Sequence, residues 1–288
     1  MSLYDCILVT GSGGMLGRAI TDLLRGRGAN VVALRHGELD IGDAGAVAAA
    51  FAVHRPTLVL NCAAYTKVDL CEKETELAHR INGAAVGFLA TGCRGIGASM
   101  MHVSTDFVFD GALGRPYRPD DAVNPTQAYG RSKLAGERAL VTANPGKWLL
   151  VRTSWVFGRG GVNFPRTIIN AARAGKPLSV VSDQHGCPTY ATDLAAGIVD
   201  LLDRGQTGIR HLTNNGQTTW FDVATASLAE FGMAEYPVKA ITSAQWQAIR
   251  PDSAPRPLYT VLESSTPLRD WRAALHDFAM GTKDGGWD

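Results

Sequence analysis

The sequence predicts an α/β protein built on a doubly wound parallel sheet, with a smaller substrate-binding lobe toward the C-terminus. Three observations carry this reading. Short apolar runs alternate with helix-patterned stretches up to about residue 155; a glycine-rich turn joins the first run to the first helix; beyond residue 155 the alternation loosens. Regular alternation favours parallel pairing, because parallel strands need a crossover and a helix supplies one.

The elements follow in order. Residues 6–10 (CILVT) form a short apolar run that reads as a strand buried on both faces. Gly11-Ser12-Gly13-Gly14-Met15-Leu16-Gly17 comes next, then helical spacing over residues 18–24. Strand, glycine turn and helix in this order open a Rossmann-type unit. Glycines let the backbone turn tightly and approach a pyrophosphate, whose charge rests on the helix N-terminus. The alternative is a tight turn with no ligand. Residues 31–34 (VVAL) are the second strand, ending at Arg35 and His36 where NAD-binding proteins often carry an acid. An arginine there suits a 2′-phosphate and favours NADPH, with NADH the lesser alternative; otherwise Arg35 is a solvated surface residue. Leu39, Asp40 and Ile41 lie where the loop would border an adenine.

A helix over about 43–54 leads to the strand 58–60, which ends in Asn61-Cys62-Ala63-Ala64-Tyr65-Thr66, small residues that admit a cofactor at the sheet edge. Mostly helical sequence over 72–93 precedes the strand 100–103, whose end is Ser104-Thr105-Asp106. The segment after Gln127 reads as a helix carrying Tyr129 and Lys133, followed by the strand 148–152. Later come Trp155, a helix with Asn163, Phe164 and Arg166, the polar loop 183–189 and a helix over 192–202. The division expected is a dinucleotide-binding core over 1–155 with later returning strands, a lobe over 156–280 interleaved with it, and a flexible polar tail over 281–288.

The chain has 288 residues and a net charge of +1, which gives no electrostatic case for nucleic acid or an anionic membrane. Five cysteines without a close pair read as reduced thiols of a cytoplasmic protein. No signal peptide or span of about 20 apolar residues is evident. The chemistry points to Tyr129 and Lys133. Four apart on a helix, they share a face, and an ammonium there stabilises a phenolate, drawing a phenol pKa of about 10 toward neutrality. A surface helix with a chance pairing is the competing view.

The combination of Gly11, Gly14 and Gly17, Asn61-Cys62-Ala63-Ala64, Ser104-Thr105-Asp106 and the Tyr129/Lys133 pair resembles the extended short-chain dehydrogenase/reductases. Within them it is most similar to the dTDP-4-dehydrorhamnose reductase family, through residues 63–69, 104–111, 152–157 and 183–189. The resemblance implies an NADPH-dependent oxidoreductase with Thr105, Tyr129 and Lys133 as catalytic triad. Tyr129 protonates the ketone oxygen, Thr105 hydrogen-bonds it, and Lys133 holds the nicotinamide ribose and lowers the tyrosine's pKa. It also implies cofactor contacts from the glycine turn, Met15, Leu16, Ala63, Ala64 and Tyr65. Val68, Asp106 and Trp155 would line the sugar pocket, with Asn163 near the diphosphate and Arg256 matching the family's arginine-proline pair. Asp106 and Trp155 should then lie near each other; Trp155 buried in the core is the alternative. Phe107 stands where the family usually has tyrosine, and Leu258-Tyr259 replaces an asparagine-centred stretch. A homodimer is expected, but the carboxylates of the family's metal at a dimer contact cannot be placed in this chain.

The leading expectation is reduction of the 4-keto group of dTDP-4-dehydro-L-rhamnose to dTDP-L-rhamnose. Another nucleotide-sugar epimerase, dehydratase or reductase, and a non-catalytic dinucleotide-binding regulatory subunit, are the alternatives.

Overall fold

The structure is a computed structural model that describes residues 4–264, 266–282 and 286–287. Its first half runs β1 (Ile7–Thr10), α1 (Met15–Gly26), β2 (Val31–Leu34), α2 (Ala44–His54) and β3 (Leu58–Asn61). Then come α3 (Val68–Cys71), α4 (Thr75–His79), a π-helical turn (Arg80–Ala84), α5 (Ala85–Ile96), β4 (Ser99–Thr105), α6 (Ala128–Ala143) and β5 (Trp148–Thr153). The second half holds β6 (Val156–Phe157), α7 (Phe164–Arg173), β7 (Leu178–Val181), β8 (His185–Gly186), β9 (Thr189–Tyr190), α8 (Ala191–Asp203) and β10 (Gly208–His211). It closes with β11 (Thr218–Thr219), α9 (Trp220–Glu230), β12 (Val238–Ile241), α10 (Ser243–Ile249) and α11 (Trp271–Met280). The helical stretch expected over 72–93 starts earlier and is broken into pieces around the π-turn.

Six strands form the main sheet in the order β10-β5-β4-β3-β1-β2, every pairing parallel. Because its faces are both covered, alternate residues of one strand enter different cores. Ile7, Val9, Leu58, Leu60, Met101 and Leu149 pack under α1 and α8. Leu8, Val59, Met100 and Leu150 pack under α2 and α5. Successive strands are laid down on opposite sides of β1, so a crevice opens beyond the carboxyl ends of β1 and β3, the switch point where ligands of such sheets bind.

The remaining strands make three two-stranded ribbons, β8 with β11, β7 with β12 and β6 with β9, backed by α7, α9 and α11. The lobe and the sheet are interleaved. Strand β10 returns to pair with β5, and residues 254–263 cross back over the carboxyl edge. There the Tyr117 N–H donates to Val261 O at 2.8 Å, and the Glu263 N–H to Tyr117 O at 2.8 Å. The tail expected over 281–288 lies partly outside the described residues, at 283–285 and 288. Of the rest, Thr282 is buried, and Trp287 stacks on Phe231 and accepts the Gly160 N–H at 3.0 Å, so this part is held against the lobe.

Candidate active site

The glycine turn sits at the switch point. Gly11 adopts φ +65°, a conformation costly for other residues, and a Cβ there would lie 2.6 Å from the Ala63 backbone; a Cβ on Gly17 would overlap Gly11 O. Neither position admits a side chain, so the turn lies tight against both α1 and the Ala63-Ala64 strand end. No side chain caps α1 at Gly14, and its first turn carries no acid. The backbone N–H groups and positive dipole end are therefore offered to an anion. Met15 and Leu16 form that first turn.

Beside it lies a cleft of about 330 Å³ lined by Ser12, Thr21 and three arginines, Arg18, Arg25 and Arg35, against the carboxylates of Asp22 and Glu38. The exposed Arg35 extends its stem over Gly13, and its N–H donates to Glu38 Oε2 at 2.8 Å. Arg18 and Arg25 were not singled out by sequence reasoning, although both project from α1 at helical spacing. The three residues expected to border an adenine are engaged within the protein, Leu39 among them as a core side chain. Asp40 takes the Gly42 N–H and pairs with Arg80, while the Ile41 side chain is buried in the core under α2.

Helix α6 starts at Ala128 with Gln127 as N-cap, its Oε1 accepting the Gly130 N–H. A Cβ on Gly130 would overlap Phe107 O, so this glycine brings the helix directly onto the end of β4. Ser104, Thr105 and Asp106 meet Tyr129 there. Thr105 lies beside Tyr129 and donates to Asp106 Oδ1 at 3.0 Å. Asp106 Oδ2 accepts from Thr260 Oγ1 at 2.5 Å. Burial raises the Asp106 carboxyl from its ordinary 3.8 to about 6.

Lys133 is fully buried but does not face Tyr129 as the four-residue spacing suggests. Its Nζ donates to Val103 O at 2.7 Å and lies 3.4 Å from His102 Nε2. Burial lowers its pKa to about 8. The Tyr129 phenol is accordingly held above its ordinary value, by burial first and by the nearby Asp106 second. The expected lowering of the tyrosine by the lysine is absent in this arrangement, because the amine is turned toward the sheet.

Residues that sequence reasoning passed over hold this centre together. Asn82, in the π-turn, exchanges hydrogen bonds with the Tyr65 backbone and donates to Ser132 Oγ at 3.0 Å, tying the Ala63-Ala64-Tyr65 strand end to α6. Tyr65 in turn gives its hydroxyl to Glu74. Glu137, one turn after Lys133, accepts two bonds from Arg152 at 3.0 and 2.7 Å and one from Ser104 at 2.5 Å, all buried. His102 interrupts the apolar run over 100–103, the signal that a polar role was present.

On the lobe side, Thr260 donates its hydroxyl to Asp106 and its N–H to His185 O at 2.9 Å. The next residue, Gly186, abuts the Trp155 indole. Asp106 and Trp155 therefore flank one region, bridged by β8. Trp155 is half-buried at φ +47°, rare for a bulky residue, and stacks on Trp220 at 3.8 Å. Val68 begins α3 nearby in sequence to Asp69, which Arg256 pairs with at 2.5 Å. Phe107 meets Tyr129 edge-on at 6.0 Å. Asn163, expected near a diphosphate, is instead the N-cap of α7. Its Oδ1 takes the Arg166 N–H and its Nδ2 donates to Gly158 O at 2.7 Å, so both polar groups are used within the protein. Among the described residues, no group of three or more His, Cys, Asp or Glu could hold a metal ion, and no helix is long and apolar enough to cross a membrane.

Known proteins share this architecture. A dTDP-4-dehydrorhamnose reductase of Streptomyces griseus is 45% identical over 280 residues, covering 93% of this chain and 91% of its own length. The crystal structure of a dTDP-4-dehydrorhamnose reductase from Clostridium acetobutylicum superposes with a TM-score of 0.90 at 37% identity, covering 95% of this chain and 98% of that one. That of Bacillus anthracis, solved in complex with NADP, gives 0.91 at 30% identity, covering 97% and 100%. Residues 5–283 match the family described as the RmlD substrate binding domain, and the chain belongs to that family, the dTDP-4-dehydrorhamnose reductases.

Proposed function

We propose that this protein uses NADPH to reduce the 4-keto group of a 6-deoxy nucleotide sugar, converting dTDP-4-dehydro-L-rhamnose to dTDP-L-rhamnose. The observation that carries this is the meeting of Thr105, Asp106 and Tyr129 at the carboxyl edge of β4, beside the glycine turn. The residues suit the cofactor. The uncapped start of α1 receives the pyrophosphate, and Arg35 with Arg18 and Arg25 receives the 2′-phosphate. NADPH, when bound, supplies the hydride.

The remaining work falls to side chains. Tyr129, kept protonated at neutral pH, delivers its proton to the ketone oxygen, which Thr105 orients by hydrogen bonding. Lys133, which donates to Val103 O in this structure, would hold the cofactor's ribose and bring positive charge toward the phenol, favouring proton release. Val68, Asp106 and Trp155 form the sugar side of the pocket, while Asn163 supports the glycine turn through Met15. Arg256 acts from its pair with Asp69. The Bacillus anthracis relative's complex with NADP supports the cofactor, and the names of the relatives support the substrate. Assembly as a homodimer and a cytoplasmic site of action remain expectations, the first checked by sedimentation velocity.

The test is NADPH oxidation by purified protein with dTDP-4-dehydro-L-rhamnose, set against GDP- and UDP-linked 4-ketosugars. The dTDP substrate should give the highest kcat/KM. No oxidation with any of them overturns the reading.

A further inference from the structure

A buried chain of polar groups runs behind Lys133 and fixes which proton each member carries. The Ala63 N–H points at the Asn61 side chain at 3.2 Å, and an N–H can only donate, so the atom it meets is Oδ1. Thr10 Oγ1 donates to the same oxygen at 2.7 Å. The Asn61 amide nitrogen is therefore turned to His102 Nδ1, 2.9 Å away, and donates to it. His102 Nδ1 must accept, which leaves the imidazole proton on Nε2. That N–H faces Lys133 Nζ at 3.4 Å.

Two donors cannot satisfy one another. An ammonium at Nζ would confront the His102 N–H, whereas a neutral amine accepts it through its lone pair and still donates to Val103 O. The other groups around Nζ do not reverse this. Glu137, one turn along α6, favours the charged form, but its oxygens are engaged by Arg152 and Ser104; Cys62, at the end of β3, is itself buried and held as the thiol, its pKa raised by burial to about 12. Tyr129, one turn before, is a neutral phenol. The imidazole is held well below its ordinary value by burial and then by Lys133, so it stays uncharged.

We propose that His102, locked as its Nε2–H tautomer by Asn61, is a positioning residue that parks Lys133 as a neutral amine, so that cofactor binding is coupled to proton uptake by that lysine. The proposal rests on the NADPH reading above. When Lys133 leaves Val103 O and His102 for the ribose, its amine takes one proton from solvent and becomes an ammonium. Above about pH 8 the charge that assists Tyr129 then forms largely on cofactor binding. Burial that brings Lys133 to about 8 makes the parked amine mostly neutral above that pH, where the uptake is read.

Two measurements test it. Ring ¹⁵N resonances of histidine-labelled protein, with His102 assigned by His102→Phe, should show His102 as the Nε2–H tautomer from pH 6 to 9. An Nδ1–H tautomer or a cationic ring overturns the proposal without any reference to the cofactor. Calorimetry of NADPH binding at pH 9 in buffers of different ionisation enthalpy should then show uptake of about 0.9 proton per NADPH. That value follows from an amine about one-tenth protonated when parked and almost wholly protonated near its ordinary pKa of about 10.4 when released. Lys133→Met should abolish the uptake. Binding without uptake, or uptake that persists in Lys133→Met, overturns the coupling while leaving the cofactor assignment intact. Failure of NADPH to bind at any pH overturns both. The calorimetric test stands even if His102→Phe does not fold.

Discussion

Asp106→Asn should make this protein more stable at neutral pH, by an amount that depends on pH in a defined way. The carboxyl is buried, and burial raises it from 3.8 to about 6. In the unfolded chain it ionises freely above pH 4; in the folded chain it resists ionisation until about pH 6. The folded state therefore binds the extra proton, and its advantage is whole below pH 4 and lost as pH rises through 6. The two values differ roughly 100-fold in proton affinity, about 3 kcal/mol when the window has been fully crossed. Integrated between pH 4 and pH 7.5, the cost of keeping an aspartate at this position grows by about 2 kcal/mol. An asparagine does not titrate. Whatever it gains or loses against the Thr105 and Thr260 hydroxyls is the same at every pH, because both hydroxyls can turn to either atom of an amide. Urea unfolding of the two proteins at several pH values separates these contributions. The stability difference should move in favour of Asp106→Asn by about 2 kcal/mol from pH 4 to pH 7.5, with reductase turnover falling in the variant. Parallel stability profiles would refute the reasoning, since Asp106 would then ionise alike in both states.

Three further outcomes are expected. Tyr129→Phe should retain fold and NADPH affinity while kcat falls about 100-fold or more, because the proton donor is gone; stopped-flow turnover beside a binding titration distinguishes this from a folding loss. Arg35→Ala should weaken NADPH by a charge-assisted contact of about 1.5–3 kcal/mol and leave NADH nearly untouched, read from the ratio of the two kcat/KM values. Glu137→Gln strands the buried Arg152 guanidinium, 3% exposed, and should cost about 3–5 kcal/mol, lowering Tm by roughly 10 °C. Adding Arg152→Met should restore most of that loss in thermal unfolding, and a simple sum of the two single losses would argue that the pair is not coupled.

The first five strands, the glycine turn and the start of α6 could be read from residues alone because each is set by local pattern. Ile7 to Thr10 is apolar throughout since both sheet faces are covered, and Gln127 caps the helix that Tyr129 enters. The ribbons β6, β8, β9 and β11 have two residues each and exist only through a distant partner, so no period announces them. The π-turn at Arg80–Ala84 breaks a stretch that reads as continuous helix, and it is what aims Asn82 at Tyr65 and Ser132. For the site, sequence reasoning names which residues gather but not which way they turn. Lys133 satisfies helical spacing with Tyr129, yet the acceptor within its reach is Val103 O. Asn163 looks like a ligand contact and is consumed as a cap. In each case the decision lies with a partner far along the chain.

The return of residues 254–263 across the carboxyl edge bears on how new specificities can arise in such a protein. Thr260 grips Asp106, Arg256 grips Asp69, and Val261 takes the Tyr117 N–H. A lobe taken from a relative with another sugar preference would have to reproduce all three grips, or its recipient would be left with a loosened Asp106 beside Tyr129. Recombination as a cassette is therefore disfavoured. Change should proceed by single substitutions on the proposed pocket wall, around Val68, Phe107 and Trp155, none of which makes one of these three ties.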